Sequence, residues 1–198
     1  MKSNDIIADS RIVHLKELKS ALADARARLV KAETESALLL AHFSLGLVAL
    51  RDFELLPEGA GLRIVDGWNA ILRMRNVSKL SGEDISRLKK EYLARLGIVP
   101  PAEREECHVS DGLHPVRNWI VFDGKVANSY RCGEYRVTYT GGTGAHRADR
   151  MIIDYVNVAK VLGLDVSRIV VETADKDLSR RVKSIGARTV SNGNPLLP

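Results

Sequence analysis

Residues 62–69 read L-R-I-V-D-G-W-N, and the rest of the chain is organised around them. A short apolar run ends in Asp66, and Gly67 follows at once. The last side chain of a buried strand stands at the rim of its sheet, where open α/β sheets bind ligands. Aspartate is a poor strand residue, and a partly desolvated carboxylate without a partner costs free energy. A metal ion at Asp66 would offset that cost. Capping of the following helix is the competing account, since aspartate is a preferred N-cap.

The same grammar returns downstream. Asn118–Asp123, N-W-I-V-F-D, is an apolar run that ends in Asp123 and Gly124. Tyr135–Thr140 alternates as a third strand, and Gly141-Gly-Thr-Gly is a turn. A helix is expected from about His146 to Leu162, then a strand over Arg168–Glu172, then Thr173-Ala-Asp175. A helix to Ile185 and a short strand, Ala187–Val190, close the pattern. After the first strand comes a short segment, then a helix that starts at Ser81-Gly-Glu-Asp and runs to Gly97. Residues 98–117, with Pro100, Pro101, Gly112 and Pro115, read as a loop. Strands that alternate with helices imply a parallel sheet with right-handed crossovers.

In such a sheet the strand C-termini share one edge. Asp66, Asp123 and Asp175 would meet there, and Asp149 lies in the first turn of the helix after the glycine turn. Close carboxylates raise one another's pKa. A cluster of four is tolerable mainly around a hard cation, and oxygen-only ligands favour Mg²⁺ or Mn²⁺. Such an ion activates water and neutralises phosphate charge in phosphodiester hydrolysis.

Taken together, I-V-D-G-W-N (64–69), V-F-D-G (121–124), G-T-G-A-H-R-A-D (142–149), T-A-D-K-D-L (173–178) and R-R-V-K-S-I-G-A-R (180–188) resemble the NYN domain of PIN-like ribonucleases. The resemblance is strongest to the bacterial YacP-like branch and covers Leu62 to Ser191. It implies an α/β, PIN-like three-layer fold with a central parallel sheet. It also implies metal-dependent cleavage of RNA. Asp66, Asp123, Asp149 and Asp175 match the family's acidic positions, as catalytic residues and metal ligands. Asn69 matches the amide of the first motif, and Thr173 and Asp177 match the last; Asn69 and Thr173 would orient ligands or the attacking water. Arg150 departs from the pattern, because it stands where a second acid is usual; Asp154 or Asp177 would have to supply that carboxylate. Trp68 replaces a common Tyr, and the 98–117 loop is longer than the pattern needs. The expected function is therefore a metal-dependent endoribonuclease, and the alternative is a weak or inactive PIN-like RNA-binding adaptor.

The 198 residues suit one domain with an appendage, assigned as a helical extension over 1–56 and a nuclease-like domain over 62–191. Residues 1–60 carry 8 basic and 9 acidic side chains, a balance of −1, whereas the remainder carries 22 and 16, a balance of +6. The basic excess thus accompanies the acid motifs, as expected of a part that handles a polyanion. Leu15, Leu18, Leu22, Ala25, Leu29, Ala32, Ser36 and Leu39 fall at heptad spacing. That seam suits a homodimer or docking to a partner such as the ribosome. Phe53 to Gly61 reads as a linker. Two cysteines, no signal-like start and no membrane-length apolar run suggest a cytoplasmic setting without a membrane.

Arg73, Arg75 and Lys79, with Arg87, Lys89 and Lys90, form a basic band suited to an RNA backbone; His146, Arg147 and Arg150 are further candidates for RNA contact. Tyr130, Tyr135 and Tyr139 suit base stacking or edge packing. Other signatures fail. The 140–145 turn lacks the third glycine of a dinucleotide site and the Gly-Lys-Ser/Thr of a P-loop. Cys107, His108 and His114 lack a fourth zinc ligand. A phosphatase of the haloacid dehalogenase type needs Asp-x-Asp, which Asp66-Gly67-Trp68 does not supply.

Overall fold

The computed structural model describes residues 23, 24, 27, 44–74, 81–99, 115–142 and 146–191. The chain divides into two compact units, Met1–Leu40 and Ala41–Pro198. In the first, residues 23, 24 and 27 are helical and exposed. The heptad seam, Arg75, Lys79 and the Cys107–His114 loop lie outside the described residues.

The second unit is built by strands whose successive side chains point to opposite faces. The strands are β1 (Leu62–Asp66), β2 (Asn118–Phe122), β3 (Ala127–Cys132), β4 (Tyr135–Thr140), β5 (Ile169–Glu172) and β6 (Arg188–Val190), in sheet order β3-β4-β2-β1-β5-β6. All neighbours pair in parallel except β3 with β4. The helices are α1 (44–54), α2 (Gly67–Met74), α3 (Gly82–Arg95), α4 (Arg147–Val161) and α5 (Lys176–Ile185). Ile64, Trp119, Val121 and Val171 face a core shared with α1, α4 and α5. Val65, Ile120, Phe122 and Val137 face a second core shared with α2 and α3. The result is a three-layer α/β arrangement around a mostly parallel sheet.

Local chemistry sets several ends. Ser81 and Asp84 form a capping box at α3: Ser81 Oγ accepts from the Asp84 amide at 3.1 Å, and Asp84 Oδ2 accepts from the Ser81 amide at 3.2 Å. Gly67 opens α2 because nothing larger fits there. A Cβ on it would stand 2.3 Å from the Phe122 ring.

Two features differ from the sequence reading, whereas α2 is the helix that the capping account of Asp66 places after β1. The sheet carries an antiparallel edge strand, β3, joined to β4 through a turn in which Gly133 takes φ 56°. The compact unit also begins well before the first motif. Phe53 and Leu56, assigned to a linker, are buried with Ala49 and Leu50 in the first core. The Asp52 carboxylate accepts a hydrogen bond from Arg136 of β4, and both side chains are buried. Residues 44–56 therefore belong to the α/β unit rather than to an extension. Among the described residues no helix is long and apolar enough to cross a membrane.

Candidate active site at the sheet edge

Asp66, at the end of the central strand β1, is 2% exposed. Its Oδ1 accepts from the Asn69 backbone amide at 3.3 Å, which caps α2. Its Oδ2 accepts from the Thr173 hydroxyl at 3.1 Å and from the Asn69 side-chain amide. Thr173 Oγ1 in turn accepts from the Asn69 side chain at 3.3 Å and from the Asp175 amide at 3.0 Å. Asn69 and Thr173 thus lash the ends of β1 and β5 together around one buried carboxylate. Both were expected at the site from the resemblance, and both touch Asp66.

Asp123 follows β2, and its Oδ1 accepts from the Ala148 amide at 2.8 Å, in the first turn of α4. This bond does for α4 what its own N-cap does not. His146 occupies that position with φ 58° and makes no side-chain capping bond. Asp175 caps α5, its Oδ1 accepting from the amides of Asp177 (2.7 Å) and Leu178 (3.0 Å). Three strand-end aspartates therefore each hold a helix N-terminus, and three positive helix ends face the same edge. Each cap uses one oxygen, and at Asp66 the second oxygen already accepts from Thr173 and Asn69. Among the described residues, Asp123 Oδ2 and Asp175 Oδ2 have no hydrogen-bond donor.

Asp149, one turn into α4, joins them. His146 Nδ1 lies 3.0 Å from its Oδ2. Burial pushes the Asp149 carboxyl above its ordinary value, and the charges of Asp175 and Asp123 push the same way against the His146 bond. Burial likewise raises Asp66, with a further push from Asp149, against the lowering bonds from Asn69 and Thr173. The hydrogen bond and charge of Asp149 raise His146, helped by Asp175 and Asp123. These influences link Asp149 with each of the other three carboxylates. Among the described residues, no lysine or arginine forms an ion pair with any of the four.

The donors are all oxygen, which suits a hard divalent cation rather than zinc. A buried carboxylate with a raised pKa and no cationic partner is the group such an ion would satisfy. Among the described residues, however, no three His, Cys, Asp or Glu side chains stand as a ready-made metal-holding group.

The basic candidates are dispersed. Arg73 donates to the Ser191 carbonyl. Arg147 lies against Gly142, where a Cβ would approach its Cζ to 2.8 Å. Arg150 is exposed and does not neutralise the acid cluster among the described residues. Neither substitute acid fills its place: Asp177 pairs with Arg180, and Asp154 lines a groove with Leu47, Leu50 and Tyr155 of α1 and α4. The three tyrosines are half-buried against the second core, with Tyr139 stacked on Phe122 at 5.6 Å.

Lys89 was read only as one of a band, yet it is the lysine at the site. Its Nζ donates to the Asp123 carbonyl at 2.6 Å and stands 5.2 Å from the Phe122 ring centroid and 5.5 Å from that of Tyr139. Burial lowers its pKa, opposed by the charge of Asp123. Helical spacing places Lys89 on the flank of α3 beside Leu88 and Tyr92, but the contact spans 34 residues and has no local signature.

No family model, curated protein or solved structure matches the chain.

Proposed function

We propose that the protein is a Mg²⁺- or Mn²⁺-dependent endoribonuclease that hydrolyses RNA phosphodiester bonds at the edge formed by Asp66, Asp123, Asp149 and Asp175. What supports the reading is the placement of four carboxylates at the end of β1, after β2, in the first turn of α4 and at the β5–α5 junction, two with raised pKa and none paired with a described lysine or arginine. The four would hold the cation, directly or through water, Asp123 and Asp175 through the oxygen that caps no helix and Asp66 through an oxygen shared with Thr173 and Asn69. The ion would supply an activated water and offset phosphate charge. Asn69 and Thr173 fix the Asp66 carboxylate in one orientation. Lys89 tethers the chain at Asp123 through its carbonyl. The resemblance of the motifs to the NYN domain supports the same reading.

The test incubates purified protein with labelled RNA and Mn²⁺ beside Asp66→Asn. Cleavage by the parent alone is expected; equal cleavage by both rejects the assignment. A non-catalytic RNA-binding adaptor is the second reading, favoured by the capping roles of Asp66, Asp123 and Asp175, which explain their positions without any ion. Calorimetric titration separates the two, since an adaptor would take up no Mn²⁺ at millimolar concentration.

A further inference from the structure

α5 starts at Asp175, within the acid cluster, and runs away from it. Its ten residues hold four basic side chains, Lys176, Arg180, Arg181 and Lys183, and one acidic, Asp177. That surplus of +3 compares with +1 on each of α2 (1 basic, 0 acidic), α3 (4 and 3) and α4 (3 and 2). The cations on α3 are partly spent: Arg87 pairs with Asp84 at 2.7 Å and approaches Glu91 at 3.9 Å, and Lys89 is turned to Asp123. Among the described residues, only Arg180 of α5 is paired, with Asp177, and both ends of that pair are well exposed. Exposed pairs contribute little, so a phosphate displaces one readily. Lys176 and Lys183 form no ion pair with a described residue.

The helix also aims these charges. Leu178 and Val182 are buried against the core, and Ser179 Oγ faces Thr189 of β6 at 3.0 Å. At 100° per residue, Lys176, Arg180 and Lys183 fall on the opposite side, at i, i+4 and i+7. They form one exposed stripe about 10 Å long, at a rise of ~1.5 Å per residue. A stripe of this kind tracks a phosphate backbone and reads no base.

We propose that the Lys176–Arg180–Lys183 stripe is a binding track for the backbone of single-stranded RNA, leading the strand to or from the acid edge. It rests on the nuclease reading for its substrate, but not for its mechanism. The stripe carries its own positive charge, so its contribution needs no divalent ion.

The test is fluorescence anisotropy with a labelled oligouridine RNA in EDTA over a salt series. The full chain is compared with the triple variant Lys176→Gln/Arg180→Gln/Lys183→Gln. A control triple, Arg51→Gln/Arg95→Gln/Lys160→Gln, removes the same charge from exposed positions on α1, α3 and α4. The α5 variant is expected to bind about tenfold or more weakly at low salt. Its slope of log affinity on log salt should shrink by about 2, at ~0.7 per lost phosphate contact on a single strand. The control should keep most of its slope, and unchanged melting curves confirm folding. Equal losses in the two variants would mean that net charge alone matters, and no loss in the α5 variant would mean that the stripe is bare surface; either overturns the proposal. Absence of Mn²⁺-dependent cleavage alongside the expected slope change would instead sink the nuclease reading and leave the track standing.

Discussion

Asp66→Asn separates the structural duties of that carboxylate from its proposed ligand duty. Without metal, two effects oppose each other. The new amide group at the Oδ2 position meets the Asn69 amide donor, so the Asn69 side chain must turn over and give up its bond to Thr173. A net hydrogen bond is worth about 1 kcal/mol. Against that, the variant no longer buries a charge, and burial is what raises the Asp66 pKa. The two terms leave the metal-free protein within about 1 kcal/mol of the parent. With metal the difference is large. An ion at a hundred times its dissociation constant stabilises by about 2.7 kcal/mol. At about 2–4 °C per kcal/mol for a chain of this size, the parent should melt about 5–10 °C higher. Differential scanning fluorimetry with EDTA and with a Mn²⁺ series reads both arms. The reasoning is refuted if Mn²⁺ shifts parent and variant alike, or shifts neither.

The raised Asp66 and Asp149 carboxyls favour folding where they are protonated, below the ordinary value of 3.8, and that contribution is lost as pH rises through their raised values. The metal-free stability of the parent relative to Asp66→Asn should therefore fall from about pH 4 upward, read by thermal melts in EDTA, and saturating Mn²⁺ should reverse the trend. Gly67→Ala puts a Cβ 2.3 Å from the Phe122 ring, so urea unfolding should show about 1–3 kcal/mol of overpacking. Arg136→Met strands the buried Asp52 carboxylate and should cost about 3–5 kcal/mol in the same assay; a loss below 1 kcal/mol would show that α1 is not fastened to β4.

The acid edge was legible because parallel topology alone brings strand ends together. Once Asp66, Asp123 and Asp175 are placed after apolar runs, their position along that edge needs no side-chain detail. The Ser81 start of α3 was legible because a capping box is local. What escaped the sequence depends on distant partners. The 44–56 segment resembles the end of a helical arm until Arg136, 84 residues on, is seen to hold Asp52. Gly67 looked like a strand breaker, whereas its smallness answers to Phe122 across the sheet. The edge strand β3, A-N-S-Y-R-C, lacks apolar alternation because it is only half-covered; Gly133 at its turn was the available clue. Asp123 serves a helix that begins 24 residues later, and no short-range pattern announces a cap supplied from another strand.

The order of the sheet also governs when the edge can exist. Asp66 stands on the middle strand, Asp123 comes from the neighbour on one side, and Asp175 follows the neighbour on the other, reached only after the chain crosses back through α4. A ribosome that has reached Thr140 has therefore produced β1 to β4 but neither Asp149 nor Asp175. The chain acquires its complete edge only after β5 has been made.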